Sequence, residues 1–342
     1  MNFNQIVPNV HNEWEQLKKV ILGDTIQAQI PNVKDKSLHC IDYANYSDEE
    51  FSKVPTGKYP NQVLEETTED LNNIKDIFKS LDIDVISLHD SSKHRVRHDF
   101  DSYYDYCPRD SMLVLGNKII ATPMALRQRR DEADKYRKFF TEDSWVRFPK
   151  PKLTDDMYDR SNLNIPTLMP GPEPVFDAAN ILKSNTDLLY LVSNTGNLSG
   201  AKYLERWLWD NISTDYKVHR VENVYAYIHI DTTFVLLREG LVLCNPARVT
   251  ENNMPEFLRN WDHIWAPEPY PTRVLSDWCP ASPWLGMNIL SINENLVMVE
   301  EHQILLMNLL KKFGIDSIPV KLRHGRTLSG GPHCITLDVI RE

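Results

Sequence analysis

Cys334 lies in the string SGGPHCITLD near the end of the chain, while PVFDAAN, with Asp177, and YIHIDTTF, with His229 and Asp231, stand far upstream. A thiol, an imidazole and several carboxylates are the groups that chemistry at a guanidinium carbon requires. Resonance protects that planar, cationic carbon, so carboxylates must grip its nitrogens in plane while a strong nucleophile is held above it. Asp110, in YCPRDS, and Asp231 suit the first task. Cys334 suits the second, because only a thiolate is nucleophilic and a guanidinium bound beside His229 brings positive charge that favours it. His229 can protonate a leaving amine and afterwards deprotonate an incoming one. Asp177 would orient that imidazole as the third member of a Cys/His/Asp arrangement.

More than 200 residues separate Asp110 from Cys334, so these groups can meet only if the fold brings them together. One pattern recurs along the chain: a polar residue, an apolar strand, a short turn, a second strand, a helix and a further strand. Asp110 leads into SMLVLGNKIIATP, with Gly116 and Asn117 as the hairpin turn, then a helical RQRRDEADKYRKFF and a strand at WVRF. Asp177 leads into AANILKSNTDLLYLVS, a helix AKYLERWLWDNI and a strand YKVHRV. His229 and Asp231 lead into DTTFVLLREGLVLCN, a shorter helix MPEFLRNW and a strand HIWA. Asn288 leads into ILSINENLVMVE, a helix stopped by Gly314, and IPV. A fifth copy is split between the ends. EWEQLKKVILG opens it, a helix spaced Leu64, Leu71, Ile74, Phe78, Leu81 and the strand DVISL follow, and GPHCITLDVI closes it. Modules of this size cannot bury their own faces, so five of them would pack about a pseudo-symmetry axis and close by pairing first with last. The strand starts would then share one central pocket.

The 342 residues carry a net charge of −10, which argues against nucleic acid or an anionic membrane surface as partner. Hydrophobic residues at 42% and charged residues at 25% are ordinary for a globular protein. No targeting segment and no spanning run are read. Five cysteines without a CxxC pair fit a reduced, cytoplasmic protein, and Cys40, Cys107, Cys244 and Cys279 read as packing. The run Arg127, Arg129, Arg130 reads as a solvated helix face. Nucleotide-binding, zinc-peptidase and serine-hydrolase motifs are missing.

The strings PRD, PVFDAAN, HIDTTF, LCNPAR, WLGMN and GGPHC, in this order, resemble the arginine-dependent amidinotransferases of the guanidino-group-modifying superfamily, from about His11 to the carboxyl end. The resemblance implies an α/β fold, a five-bladed pseudo-symmetric propeller of ββαβ modules forming one catalytic domain over 1–342, with the first and last modules sharing a blade. It implies transfer of the amidino group of L-arginine to an amine, with no metal or organic cofactor and a homodimer by family habit. Positions matching Asp177, His229 and Cys334 are catalytic in the family. Those matching Asp110 and Asp231 hold the guanidino group, while Tyr104 and Arg248 match the substrate pocket, the latter towards the donor's carboxylate. LTDDMY, DAANILKSNTDLLYLVSNTGN and NMPEFLRNW are similar to the branch that acts on aminocyclitol phosphates. Glycine-using members tend to carry serine at Gly286, asparagine at Ala226 and methionine at Ile228, which suggests a reshaped acceptor end here. Ser329 and Pro332 depart from the usual residues, and Pro332 would stiffen the thiol-bearing loop. Glycine amidino transfer, an arginine deiminase-type hydrolase and a catalytically silent guanidine-binding protein are the competing readings.

Overall fold

The computed structural model describes residues 5–25, 28–88, 104–275, 277–278 and 281–342. It is a mixed α/β structure in which the strands of the described residues fall into five three-stranded sheets and one antiparallel two-stranded pair, Gln29–Ile30 with Gly57–Lys58. In the sheet that begins at Met112–Leu115, that strand pairs antiparallel with Lys118–Ala121, which pairs parallel with Trp145–Arg147. The same topology recurs in Ile181–Ser184, Asp187–Leu191 and Lys217–Val221. It recurs again in Phe234–Arg238, Leu241–Cys244 and Asp262–Trp265, and in Leu290–Asn293, Leu296–Glu300 and Asp316–Val320. The remaining sheet joins the two ends of the chain. Leu17–Leu22 runs antiparallel to Thr336–Arg341, in register Val20 with Asp338, and parallel to Asp84–Ser87.

The hairpin strands read as unbroken apolar runs because both of their faces are covered. Successive side chains point to opposite faces, so each strand feeds two cores. Met112 and Val114 pack with Ile21, Leu337 and Val339 of the end-joining sheet, whereas Leu113 and Leu115 pack with Ile181, Leu188 and Tyr190. Leu182, Leu189 and Leu191 then meet Phe234, Leu236 and Val242, while Val235 and Leu237 meet Val297 and Val299. Leu290, Ile292 and Met298 share a core with Leu17, Val20 and Leu22, which brings the series back to its start.

Helices precede the third strand in three of the sheets: Asn61–Ser80, Leu198–Asn211 and Ile304–Lys312. Val63, Leu71, Ile74 and Phe78 form the buried stripe of the first, each contributing ~1.5–3 kcal/mol of burial. The expected helix over RQRRDEADKYRKFF is replaced by short 3-10 turns at Arg127–Arg129, Glu132–Lys135 and Arg137–Phe139. Ala133, Tyr136, Phe139 and Phe140 are buried as the helical spacing predicts, but they are presented by separate short turns and not by one continuous helix. In MPEFLRNW only Glu256–Leu258 is helical, again as a 3-10 turn, directly after Pro255. A segment this short cannot offset the cost of nucleating an α-helix. Gly116, at φ +52°, supplies the left-handed turn residue of its hairpin, as its place in the sequence predicts. No helix among the described residues is long and apolar enough to cross a membrane.

Candidate active site

Each sheet's first strand is preceded by a turn that carries a polar residue inward. Asp110 closes the 3-10 turn Pro108–Asp110, Asp177 caps Ala178–Asn180, and Asn288 caps Pro283–Met287. Asp231 and Cys334 stand just before Phe234 and Thr336. Backbone pairing fixes where these turns lie, so residues from five separate sheets meet at one point. His229 itself has φ +57°, a conformation that costs a non-glycine residue on the order of 1–2 kcal/mol and that the surrounding packing enforces.

The Sγ of Cys334 accepts a hydrogen bond from Asn288 Nδ2 at 3.1 Å and faces Asp231 Oδ2 at 3.4 Å. Asn288 Oδ1 also accepts from the backbone amides of His333 and Cys334, both at 3.1 Å, so one side chain holds the thiol and its loop. A hydrogen bond with Cys107, burial and the Asp231 carboxylate push the Cys334 thiol well above its ordinary pKa. The imidazole of His229 lies between two carboxylates, with Nε2 3.2 Å from Asp177 Oδ2 and Nδ1 3.6 Å from Asp110 Oδ1. Burial alone would lower its pKa. The charge of Asp110 and the hydrogen bond and charge of Asp177 outweigh burial and raise it to about 9. The resting site thus carries a neutral thiol and an imidazolium near neutral pH.

The carboxylates are held differently. Asp177 Oδ1 accepts from the amide of Ala125 at 3.0 Å. Asp110 Oδ2 accepts from Arg129 Nη1 at 2.6 Å, while its buried Oδ1 has no hydrogen-bond partner among the described residues. Asp231 Oδ2 accepts from His333 Nδ1 at 2.9 Å, and this bond, with the His333 and His229 charges, overcomes burial and holds the acid at about 2. Behind His333 a buried chain of charges continues. Its Nε2 lies 3.5 Å from Glu13 Oε2, Glu13 pairs with Lys183 at 3.1 Å, and Arg109 bridges Glu13 to Asp338. Burial opposes ionisation of Glu13, but Lys183, His333 and Arg109 keep its pKa well below the usual carboxylate range.

Two cavities open on this centre. One, of about 350 Å³, is lined by Cys334, Asp231, Arg248, Tyr225, Tyr227 and Trp284. The other, of about 70 Å³, is lined by Asp110, Asp177, Tyr104, Arg129, Tyr43 and Tyr59. His229 borders both. All seven residues singled out in the sequence therefore line the same pair of cavities. Arg248 Nη1 donates to Thr232 Oγ1 at 2.7 Å and to Thr233 Oγ1 at 2.9 Å, and its guanidinium stacks 3.6 Å from the Tyr225 ring. Tyr104 stacks on Arg129 at 4.8 Å.

Several residues stand differently from the sequence reading. Arg129 is not on a solvated face: it is buried, paired with Asp110 and Glu132, and Arg127 is likewise tied to Asp35 and Asp155. Burying a guanidinium requires such partners, and a run of arginines gives no sign in sequence that they exist. Cys107 is a free, buried thiol that donates to Ser329 O at 3.9 Å and raises the pKa of the Cys334 thiol, so it borders the nucleophile as well as packing. Cys40 and Cys244 are buried, and Cys279 lies outside the described residues. Ile228 borders both cavities, but Gly286 lines neither, and a Cβ there would lie 2.6 Å from the Gln303 side chain. The close approach of Gln303 is what the absence of a side chain at Gly286 accommodates. Asn288, His333, Glu13 and Asp42 were not among the sequence-level site residues. Asn288 alone had a signal, as the polar residue opening the fourth repeat. Among the described residues no group of three or more His, Cys, Asp or Glu side chains is placed to hold a metal ion.

No protein-family model matches the chain. The chain is 42% identical to inosamine-phosphate amidinotransferase 1 of Streptomyces glaucescens, over 97% of this chain and 96% of that protein. The solved structure of an inosamine-phosphate amidinotransferase from Streptomyces griseus superposes with a TM-score of 0.89 at 42% identity, covering 98% of this chain and 97% of that one. SxtG, an amidinotransferase from Microseira wollei in the saxitoxin biosynthetic pathway, follows at 0.83 and 30%, covering 98% of each chain. The chain belongs to the amidinotransferases, a family of enzymes.

Proposed function

We propose that this enzyme moves the amidino group of L-arginine through a covalent amidino-Cys334 intermediate to an amine acceptor and releases L-ornithine. The observation that carries the reading is the meeting of the Cys334 thiol, the His229 imidazole and three carboxylates, in a chain that matches amidinotransferases along nearly its full length. Asp231 and Asp110, whose Oδ1 accepts no hydrogen bond from the described residues, hold the donor's guanidinium, Arg248 faces its carboxylate and Tyr104 lines the pocket. Guanidinium binding offsets the negative charge that keeps the thiol protonated, so the substrate itself activates the nucleophile. Sulfur then forms a bond to the guanidinium carbon, and the bond from that carbon to the departing nitrogen breaks. That nitrogen needs two protons to leave as an ammonium. One comes from the Cys334 thiol and one from the His229 imidazolium, whose pKa of about 9 keeps it charged. Asp177 keeps the imidazole aimed and stabilises its charged form. In the second half the steps reverse: the acceptor's ammonium returns one proton to His229 and one to sulfur while its nitrogen takes the amidino group. The scheme uses neither a metal nor an organic cofactor.

A large amine, foremost an aminocyclitol phosphate, is the acceptor we favour, supported by the 42% identity to enzymes named for inosamine phosphate. Ile228 on the cavity wall supports a pocket shaped unlike that of glycine-using members. We also read the five sheets as the blades of one α/β propeller over 1–342, supported by the cores that lie between successive sheets and return to the first. A homodimer working in a reducing cytoplasm completes this reading, on the resemblance and the unpaired cysteines. The test is intact-protein mass spectrometry after incubation with arginine, with the released amino acid assayed in the same tube. An amidino adduct on Cys334 with ornithine is expected. Citrulline without an adduct would move the enzyme to hydrolysis, and neither product would end the proposal.

A further inference from the structure

The two cavities share five wall residues, Ile41, Asp42, Ile228, His229 and Ser329. Two of these, Asp42 and His229, are ionisable, so a carboxylate and the imidazole both stand where the cavities adjoin. Asp42 comes from outside the repeats: it caps the end of the short helix Lys36–Ile41, in the segment between the first strand and the long helix Asn61–Ser80. Its backbone amide donates to Leu38 O at 3.1 Å. Its carboxylate, unlike those of Asp110, Asp177 and Asp231, has no hydrogen bond or ion pair among the described residues. Burial, opposed by Arg129, raises its pKa to about 6, so it is mostly ionised near neutrality.

In the smaller cavity Asp42 shares the wall with Arg129, Asp177, His229 and Asp110, the groups whose charges act on it, and in the larger with Cys334, Asp231 and Arg248. It therefore borders the site beside His229, the group that exchanges protons with the entering or leaving nitrogen. A half-buried carboxylate with no protein donor, beside the proton-transferring imidazole, is complementary to an ammonium group.

We propose that Asp42 is the docking carboxylate for the ammonium form of the amine: it receives the acceptor on entry and, by reversibility, the side-chain ammonium of ornithine on departure. This deepens the amidino-transfer reading and rests on it. Asp42 holds R–NH3+ against His229, which is neutral once it has protonated the first leaving group. One proton passes to His229, the nitrogen bonds to the amidino carbon, the sulfur–carbon bond breaks and the second proton returns to sulfur. Asp42 keeps its own charge throughout, so its role is positioning and selection. Acceptors that are cationic at the attacking end are preferred over neutral nucleophiles.

Ornithine serves as the probe, because the reverse reaction makes it an acceptor whatever the natural one is. Exchange of isotope-labelled ornithine into arginine is followed for the wild type, Asp42→Asn and Asp42→Glu, alongside the rate of amidino-Cys334 formation from arginine and transfer to hydroxylamine, which is uncharged near neutral pH. The KM for ornithine should rise ~10- to 100-fold in Asp42→Asn and recover in part in Asp42→Glu. Adduct formation and the KM for hydroxylamine should change far less. A loss shared equally by adduct formation, ornithine and hydroxylamine would make Asp42 structural and overturn the proposal. So would a higher KM for arginine with ornithine unaffected, which would place Asp42 on the donor's α-ammonium. A wild type that forms no adduct with arginine would fail the transfer reading itself, before any variant is compared.

Discussion

Replacing Asp177 by asparagine keeps the side chain's size and the acceptor for the Ala125 amide, yet removes a negative charge 3.2 Å from His229 Nε2. At that distance two unit charges attract by ~5 kcal/mol at an effective dielectric of about 20. Burial cancels part of this. The net rise of the imidazolium pKa from 6.5 to about 9 corresponds to ~3 kcal/mol, shared with Asp110, whose Oδ1 lies 3.6 Å from Nδ1. Losing the Asp177 share should bring the pKa down by roughly one to two units. The profile of kcat/KM for arginine against pH reports the free enzyme. In the wild type, activity should fall as pH rises through about 9, because the imidazolium proton is needed by the departing amine. In Asp177→Asn that falling limb should lie roughly one to two pH units lower. Stability carries the same sign. A pKa raised on folding stabilises the native chain fully below 6.5, and that contribution disappears as pH rises through 9. Urea unfolding near neutrality and near pH 10 should therefore show a loss of up to ~3 kcal/mol from this group in the wild type and visibly less in the variant. A falling limb that stays in place would refute the assignment of Asp177 as the group that governs the imidazolium.

Cys334→Ser should abolish both the arginine adduct and turnover while leaving the circular dichroism spectrum unchanged; normal ornithine release from this variant would remove Cys334 from the chemistry. Gly331→Ala places a Cβ 2.7 Å from Asn288 Oδ1, so Asn288 must shift and loosen its hold on Sγ. Turnover should fall ~10- to 100-fold with little change in melting temperature, and unaltered steady-state kinetics would show that Asn288 does not position the thiol. Phe78→Ala empties a fully buried position of the helix Asn61–Ser80 and should cost ~3–5 kcal/mol in urea unfolding, with amidino-adduct formation intact under native conditions.

The repeats were legible because their signals are local. Hairpin glycines, apolar strand runs and a polar residue before each first strand depend on backbone sterics and side-chain alternation, which each segment carries by itself. Even the pairing of the two chain ends could be inferred, since EWEQLKKVILG and GPHCITLDVI each lacked a partner within their own half-module. The helices were legible where burial follows a 3.6-residue repeat, as along Leu71, Ile74 and Phe78, but the same spacing at Ala133, Tyr136 and Phe140 is met by short 3-10 turns, so the pattern alone did not distinguish the two.

The groups proposed to react, Cys334, His229, Asp177, Asp110 and Asp231, were readable as candidates from type and placement, and the fold brings them to one pair of cavities. Their electrostatics were not. That Asp110 keeps one oxygen on Arg129 and turns the other towards His229, that Cys334 is held by Asn288, and that His333 connects Asp231 to Glu13 all depend on distances between segments far apart in the chain. Asp42 was invisible for the same reason, since it belongs to no repeat and only packing carries it to the junction of the cavities. Which residues can react is a property of side-chain chemistry. Their protonation states and their neighbours are properties of burial and Coulomb interaction, which exist only once the five sheets have come together.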